Sequence, residues 1–571
     1  MKSLAIGSQP TRRFLVMRPT RALSATLLVL WSLACATGGP AGTGSTSGAV
    51  AEPALVLLVA VDQMRTDYID RFGEQFTGGL RMLLQDGAVL TNARQDHAIT
   101  TTGPGHAAML SGVYPRDHGI VDNSWYDRTL ERSQGAVSDP GQRLVGLPEP
   151  DGGSGASPFQ FRGTSLVGWL RDRSPDSIAV SVSRKDRSAI LMTPEAEHVY
   201  WWHAPSGRFV TSTYFRDTLP VWVEAFNAAD WLSAFAGGSW ELLAPESAYE
   251  LSRPDDFEGE RGGRNFGNVF PHPLPTDRRA LASSIQTTPF MDEATLDLAG
   301  AAIHALDLGG DGVTDVLAVG LSSTDSIGHA FGPHSREIQD QLLRVDRMLG
   351  EFFELVDQIV GLDRTLIVLT SDHGVVPLPE HSRELGEDAE RVAMAEITRG
   401  INQHVGERLG ASLGEESWFR GGASGWIHVD RQRAAELGAD TDTIIAAARE
   451  HLESRTDVAA VFSRQELLED REPSNELELL AWRNFYSDRV GDLYLVLQPL
   501  SLWGSSAATH GSPHDYDRRV PLIFRGPGIR PGLYDAPAAV VDIAPTLAAI
   551  LGLEAPAGLA GSVRDEIIEV R

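Results

Sequence analysis

Lysine is almost missing from this chain. Of 49 basic residues in 571, only Lys2 and Lys185 are lysines, so Lys185 is the single lysine in the body of the sequence. Cysteine is scarcer still: Cys35 stands alone, which excludes an intrachain disulfide and any cysteine-based metal cluster. Positive charge is outnumbered, 49 lysines and arginines against 77 aspartates and glutamates, for a net charge of −28. That balance excludes a nucleic-acid backbone as the main partner, because its phosphates would be repelled. Beyond Pro53 there is no apolar run of transmembrane length, no low-complexity block and no internal repeat. What remains is 42% hydrophobic and 22% charged, the composition of a globular chain large enough for several domains or for one α/β domain with insertions.

Residues 1–35 carry five cations (Lys2, Arg12, Arg13, Arg18 and Arg21) and no acid, followed by the apolar run Ala22–Ala34. A basic stretch before a short apolar one reads as a secretory signal. Met17 offers a second start, and Arg12-Arg13 matches a twin-arginine signal poorly. Cys35, then a Gly/Ser/Thr-rich tether over 36–52, reads as a lipoprotein-type signal with a lipid anchor on the cysteine; simple cleavage nearby is the plainer alternative. Either way an exported chain is expected, periplasmic or membrane-anchored, and removal of residues 1–35 takes −28 to −33.

Residues 53–571 read as one catalytic domain. Leu55–Val61, Ile178–Val182, Val316–Leu321 and Leu366–Leu369 are continuous apolar runs, the pattern of strands covered on both faces. Helical periodicity lies between them, most clearly over Arg336–Val360. The predicted fold is α/β, a mostly parallel central sheet sandwiched by helices, with inserted cap segments at about 192–285 and 380–480. The first contains a hairpin over 199–214; after the second, Leu493–Leu497 is expected to return the chain to the core.

Open α/β sheets gather their sites at the carboxyl ends of strands. Leu55–Val61 runs into Asp62. Val316–Leu321 runs into Ser322-Ser323-Thr324-Asp325, with His329 four residues on. Leu366–Leu369 runs into Thr370-Ser371-Asp372-His373-Gly374, and Thr509-His510-Gly511 precedes the apolar run Val520–Phe524. Each residue alone reads as a cap, a turn former or a packed histidine. Together, carboxylates mixed with imidazoles suit zinc, manganese or iron better than calcium. Thr100-Thr101-Thr102-Gly103-Pro104-Gly105-His106 reads as a helix start. A threonine there can be a cap only, or beside a metal it can attack phosphorus. His97, His106 and His118 read as packing or hydrogen-bonding groups, and Asp307–Asp315 as a turn lacking the spacing of a calcium loop. Trp125-Tyr126 is a candidate leaving-group contact, and Trp201-Trp202 reads as hairpin packing.

These blocks, VAVDQMR, TTTGPGHAAMLSGVYPRDHGIVDNSWYD, SVSRKDRSAIL, SSTDSIGHAFGP, TSDHGVVPLPE and THGSPHDYDRRVPLIFRGPG, resemble in their order the alkaline phosphatase superfamily. They are most similar to exported bacterial alkaline phosphatases with a threonine nucleophile. The resemblance implies two zinc ions, one on Asp325, His329 and His510, the other on Asp62, Asp372 and His373 with Thr102 on it. It implies a phosphothreonine at Thr102, with Asn123, Lys185 and Arg187 binding the phosphoryl group of small phosphate monoesters, and a monomer is expected. The alternatives are a nucleotide pyrophosphatase or phosphodiesterase, which shares the ligands and the threonine but is expected to lack the Lys185/Arg187 pair, and an inactive phosphoester-binding surface lipoprotein. A sulfatase is disfavoured, because no cysteine stands in the nucleophile segment.

Overall fold

The computed structural model describes residues 52–147, 153–410, 417–421, 424–469 and 471–569. The signal segment, Cys35 and the tether up to residue 51 lie outside them. The sequence LVLLVAV of β1 (Leu55–Val61) is buried at every position. Its side chains divide with the strand period of two: Val56, Leu58 and Ala60 enter one apolar core, and Leu55, Leu57, Val59 and Val61 enter the other.

Ten further strands complete this sheet. They are β2 (Ala88–Leu90), β3 (Ser138–Val145), β4 (Ser154–Ala156), β5 (Ala179–Ser183), β6 (His198–His203), β7 (Arg208–Ser212), β8 (Asp315–Leu321) and β9 (Thr365–Thr370). After a second sheet of β10 (Phe419–Gly421), β11 (Trp426–Val429), β12 (Val458–Ser463) and β13 (Leu493–Leu497), the chain adds β14 (Leu522–Arg525) and β15 (Gly532–Tyr534). The main order is β15-β2-β14-β9-β1-β8-β5-β6-β7-β3-β4. The centre, β9-β1-β8-β5-β6, is parallel, and antiparallel strands flank it. Helices cover both faces, as expected. On one lie α1 (Thr102–Ser111) and α2 (Asp186–Met192), which pack along each other. On the other lie α3 (Phe290–Leu306) and, beyond α4 (Ser323–Phe331), the long α5 (Arg336–Ile359). In α5 the periodic residues Leu342, Val345, Leu349, Phe352 and Phe353 are all buried.

Register decides where the chemistry sits. Val61 pairs with Leu321, Ala60 with Thr370 and Gly320 with Ser183, so four parallel strands end level. Asp62, Ser322, Ser371 and Arg184 leave the sheet side by side.

Three local expectations can be checked. The hairpin forms, with Val210 opposite Trp201, and Trp202 packs on Phe209 and Trp231 at 5.4 and 5.3 Å. Asp315 accepts from Ile178 N at 2.7 Å and Gly309 N at 2.8 Å, making a structural turn. The apolar run Leu493–Leu497 returns the chain to the core through Tyr494 and Val496, which join the cluster of Val56, Leu58 and Ala60, but it does so from a second sheet. It is β13, antiparallel to β11 and β12 in the second sheet, whose own core includes Ile397, Ile401, Ile444 and Ala448. A buried strand carries the same apolar signature in either sheet.

Candidate active site

The helix start read over Thr100–His106 forms. Thr101, with extended backbone, is the cap residue and Thr102 the first helical residue of α1. Thr101 Oγ1 donates to Asp122 Oδ1 (2.9 Å) rather than capping the helix. Asn123 does that work: its Oδ1 accepts from Gly103 N at 2.8 Å, which leaves its amide NH2 group to donate. α1 comes unusually close to the β9 loop. A Cβ on Gly105 would lie 2.2 Å from Asp372 O, so only glycine lets the two backbones meet. Gln95 bridges them through Gly105 O and Ser371 O.

Lys185 reaches into the middle of the site. Its Nζ lies 2.6 Å from Asp62 Oδ2, 2.7 Å from Asp325 Oδ2 and 3.1 Å from Thr102 Oγ1. Asp62, Thr102, Asp372 and His373 are fully buried, and Asp325 and Lys185 nearly so. Arg184 stands behind, 3.9 Å from Asp325 Oδ2. Arg187 lies in the first turn of α2, and its charge is felt at Asp122, the neighbour of Asn123. Burial pushes the Asp122 carboxyl up, while hydrogen bonds from Ser424, Asn123 N and Thr101, and then Arg187, pull it down.

The imidazoles carry the strongest signal. His329 Nδ1 donates to Ala508 O, His373 Nδ1 to Gly374 O and His510 Nδ1 to Thr100 O, each at 2.9 Å. A carbonyl can only accept, so in each ring Nδ1 holds the proton and Nε2 is left with a lone pair. Those lone pairs face carboxylate oxygens: His329 Nε2 is 3.2 Å and His510 Nε2 3.5 Å from Asp325 Oδ1, and His373 Nε2 is 3.1 Å from Asp372 Oδ2 and 3.6 Å from Asp62 Oδ1. Acceptor facing acceptor is stable only with a cation or a proton between. Asp62 Oδ1, Asp372 Oδ2 and His373 Nε2 are buried without a hydrogen-bond partner among the described residues. Electrostatics agree. Burial and then the Asp372 charge push Asp62 up to about 6. Burial lowers His373, but Asp372 outweighs it and holds the ring at about 9. Burial also raises Asp325, yet Lys185 and His329 keep it well below the usual carboxylate range. His510 is lowered to about 3 by burial and by His373.

Lys185 contacts Asp62 and Asp325, while Asp372 faces His106 and His373; three buried carboxylates in one cluster favour a further cation or bound protons. The donors form groups fit for a divalent metal: Asp325, His329 and His510; Asp62, His106 and Asp372; Asp62, Asp325 and His373. The first is the set implied by the resemblance. The other two both contain Asp62, and one of them includes His106. His106 Nδ1 lies 2.9 Å from Thr102 O and 3.3 Å from Asp372 Oδ2. The contact to a carbonyl fits the hydrogen-bonding role expected of His106. Trp125 is buried beneath Arg489, while Tyr126 accepts from Arg420 Nη1 at 2.8 Å.

Asp372→Ala and His510→Ala are each expected to lose bound metal and activity together, because each removes a donor that no neighbour replaces. Elemental analysis of the purified variants checks this; parental metal content in both removes these residues from the ligand set.

A parallel-centred sheet with aspartates and histidines collected at its strand ends, beside a threonine opening a helix, defines an alkaline phosphatase superfamily site. Within that superfamily the chain belongs to the type I phosphodiesterase / nucleotide pyrophosphatase family, which matches residues 56–511. It is 32% identical over 532 residues to alkaline phosphatase PafA of Elizabethkingia meningoseptica, covering 91% of this chain and 96% of that one. It is 33% identical over 540 residues to alkaline phosphatase PhoK of a Sphingomonas species, covering 89% and 90%. The crystal structure of wild-type PafA superposes with a TM-score of 0.84 at 31% identity, over 91% of this chain and 100% of that one. Murine ectonucleotide pyrophosphatase / phosphodiesterase 5, at 14% identity and a TM-score of 0.53 over 90% of this chain and all of its own, shares the fold.

Proposed function

We propose that the chain is an alkaline phosphatase that hydrolyses small phosphate monoesters through a phosphothreonine on Thr102. The observation that carries this is the position of Thr102 Oγ1, fully buried and 3.1 Å from Lys185 Nζ inside the carboxylate–imidazole cluster. Two divalent ions, zinc by the donor chemistry, held by Asp325, His329 and His510 and by Asp62, Asp372 and His373, would supply Lewis acidity at the attacking and leaving oxygens. Thr102 Oγ1 forms the bond to phosphorus as the ester P–O bond breaks and the alcohol departs. Water then cleaves the phosphothreonine, releasing phosphate and restoring the hydroxyl. Lys185, Arg187 and the Asn123 amide hold the outer phosphoryl oxygens. The names of relatives that span about nine-tenths of the chain and the fixed ammonium at Lys185 support the monoesterase reading over the diesterase one. The basic-then-apolar N-terminus supports export, with Cys35 as a lipid anchor, and the working form is taken to be a monomer.

The test is a side-by-side rate comparison of an aryl phosphate monoester with the matching diester. The monoester is expected to turn over faster by orders of magnitude; the reverse order selects the diesterase.

A further inference from the structure

We propose that Gln63 is a positioning residue, a strut that locks the carboxylates of Asp325 and Asp372 at fixed rotations; the inference rests on the two-metal reading above. Gln63 is fully buried. Its main-chain N–H donates to Asp372 Oδ1 and its side-chain Nε2 to Asp325 Oδ1, both at 3.0 Å. The two carboxylates leave different strands and, on that reading, serve different ions. With Oδ1 of Asp372 held by Gln63, Oδ2 is the oxygen presented to His373 Nε2. An outer hydrogen bond of this kind orients a ligand and tunes its affinity. An amide does so without adding charge to a site that already holds three carboxylates.

Two local costs point to the side chain as the reason for the residue. Gln63 has φ +67°, the left-handed region where a side chain is strained and glycine is free. If the position served only to turn the chain after β1, glycine would do it without strain. The second cost lies across the contact. A Cβ on Gly328, inside α4 and next to His329, would fall 1.7 Å from Gln63 Oε1, so a glycine that weakens the helix makes room for the amide. A strained glutamine and a helical glycine thus serve one contact, and neither residue contributes a metal ligand or a nucleophile.

The experiment uses Gln63→Met, which keeps volume and loses the amide, and Gln63→Gly, which also releases the backbone. Zinc affinity is measured by competition with a chromophoric chelator, together with the Tm of the metal-free proteins. Both variants are expected to raise the zinc dissociation constant by about ten- to a hundredfold. The Tm of metal-free Gln63→Met should stay near the parent's, and that of Gln63→Gly should match or exceed it. Gly328→Ala, which crowds the amide, should copy the loss of affinity. Parental zinc affinity in Gln63→Met, with Asp372→Ala having lost it, overturns the strut and leaves the metal site standing. A metal-free Gln63→Met whose Tm falls in step with its affinity overturns positioning in favour of packing. A parent chain that takes up no zinc overturns the two-metal reading, and the strut with it.

Discussion

Thr102→Ala should lose turnover by about a thousandfold or more, roughly 4 kcal/mol at about 1.4 kcal/mol per tenfold, with its metal content unchanged. Thr102 is the first residue of α1, fully buried, with its hydroxyl 3.1 Å from Lys185 Nζ. Alanine is the best helix former, so α1 should keep its place, seated through Gly105 on the Asp372 backbone. Three aspartates and three histidines remain to hold metal, while the atom that bonds to phosphorus is gone. Steady-state rates and elemental analysis on the same preparation give the answer, and acid-quenched parent should yield a phosphothreonine that the variant lacks. Near-parental activity would sink the assignment of Thr102 as nucleophile.

Removing Lys185 and Arg187 together should collapse the preference for monoesters. A monoester transition state spreads charge over three outer oxygens, and a diester has one of them blocked. Each charge-assisted contact contributes about 1.5–3 kcal/mol, roughly ten- to a hundredfold in rate. Monoester kcat/KM should therefore fall by orders of magnitude in Lys185→Ala/Arg187→Ala, and diester kcat/KM much less. Lys185 Nζ also lies 2.6 and 2.7 Å from Asp62 and Asp325, so both proteins must be compared at equal metal loading. An unchanged monoester-to-diester ratio would mean that these cations do not read phosphoryl charge.

The parallel centre was legible because a strand covered on both faces is apolar throughout: β1, β8 and β9 lie where Leu55–Val61, Val316–Leu321 and Leu366–Leu369 pointed. Asp62, Asp325 and Asp372 were legible as polar residues just past those runs, and the structure brings them into one cluster, Asp62 and Asp325 on Lys185 and Asp62 and Asp372 by His373. Lys185 stood out by the scarcity of lysine, but its role, like those of Asn123 and Arg187, came from family resemblance; a lone asparagine or a KDR triplet has no chemistry of its own in a sequence. For β13 the apolar run reported burial but not the partner strand: Tyr494 and Val496 reach the main core from the second sheet. Gln63 left no trace at all, since a left-handed backbone is advertised by glycine and hidden by glutamine.

The central strand β1 finds its neighbours far along the chain: Leu55 pairs with Asp315 on one side and Thr365 on the other. Until residue 370 has been made, the most apolar strand of the molecule has an open edge, and until residue 510 has been made the site has no His510. Sheets closed by such distant pairings form slowly, because the entropy of looping is spent before the contacts repay it. Catalytic competence is thus a late event in the life of each molecule. Activity, more than secondary structure, reports that the whole chain has been made and correctly threaded, and fragments ending before the last strands should collapse without ever becoming enzymes.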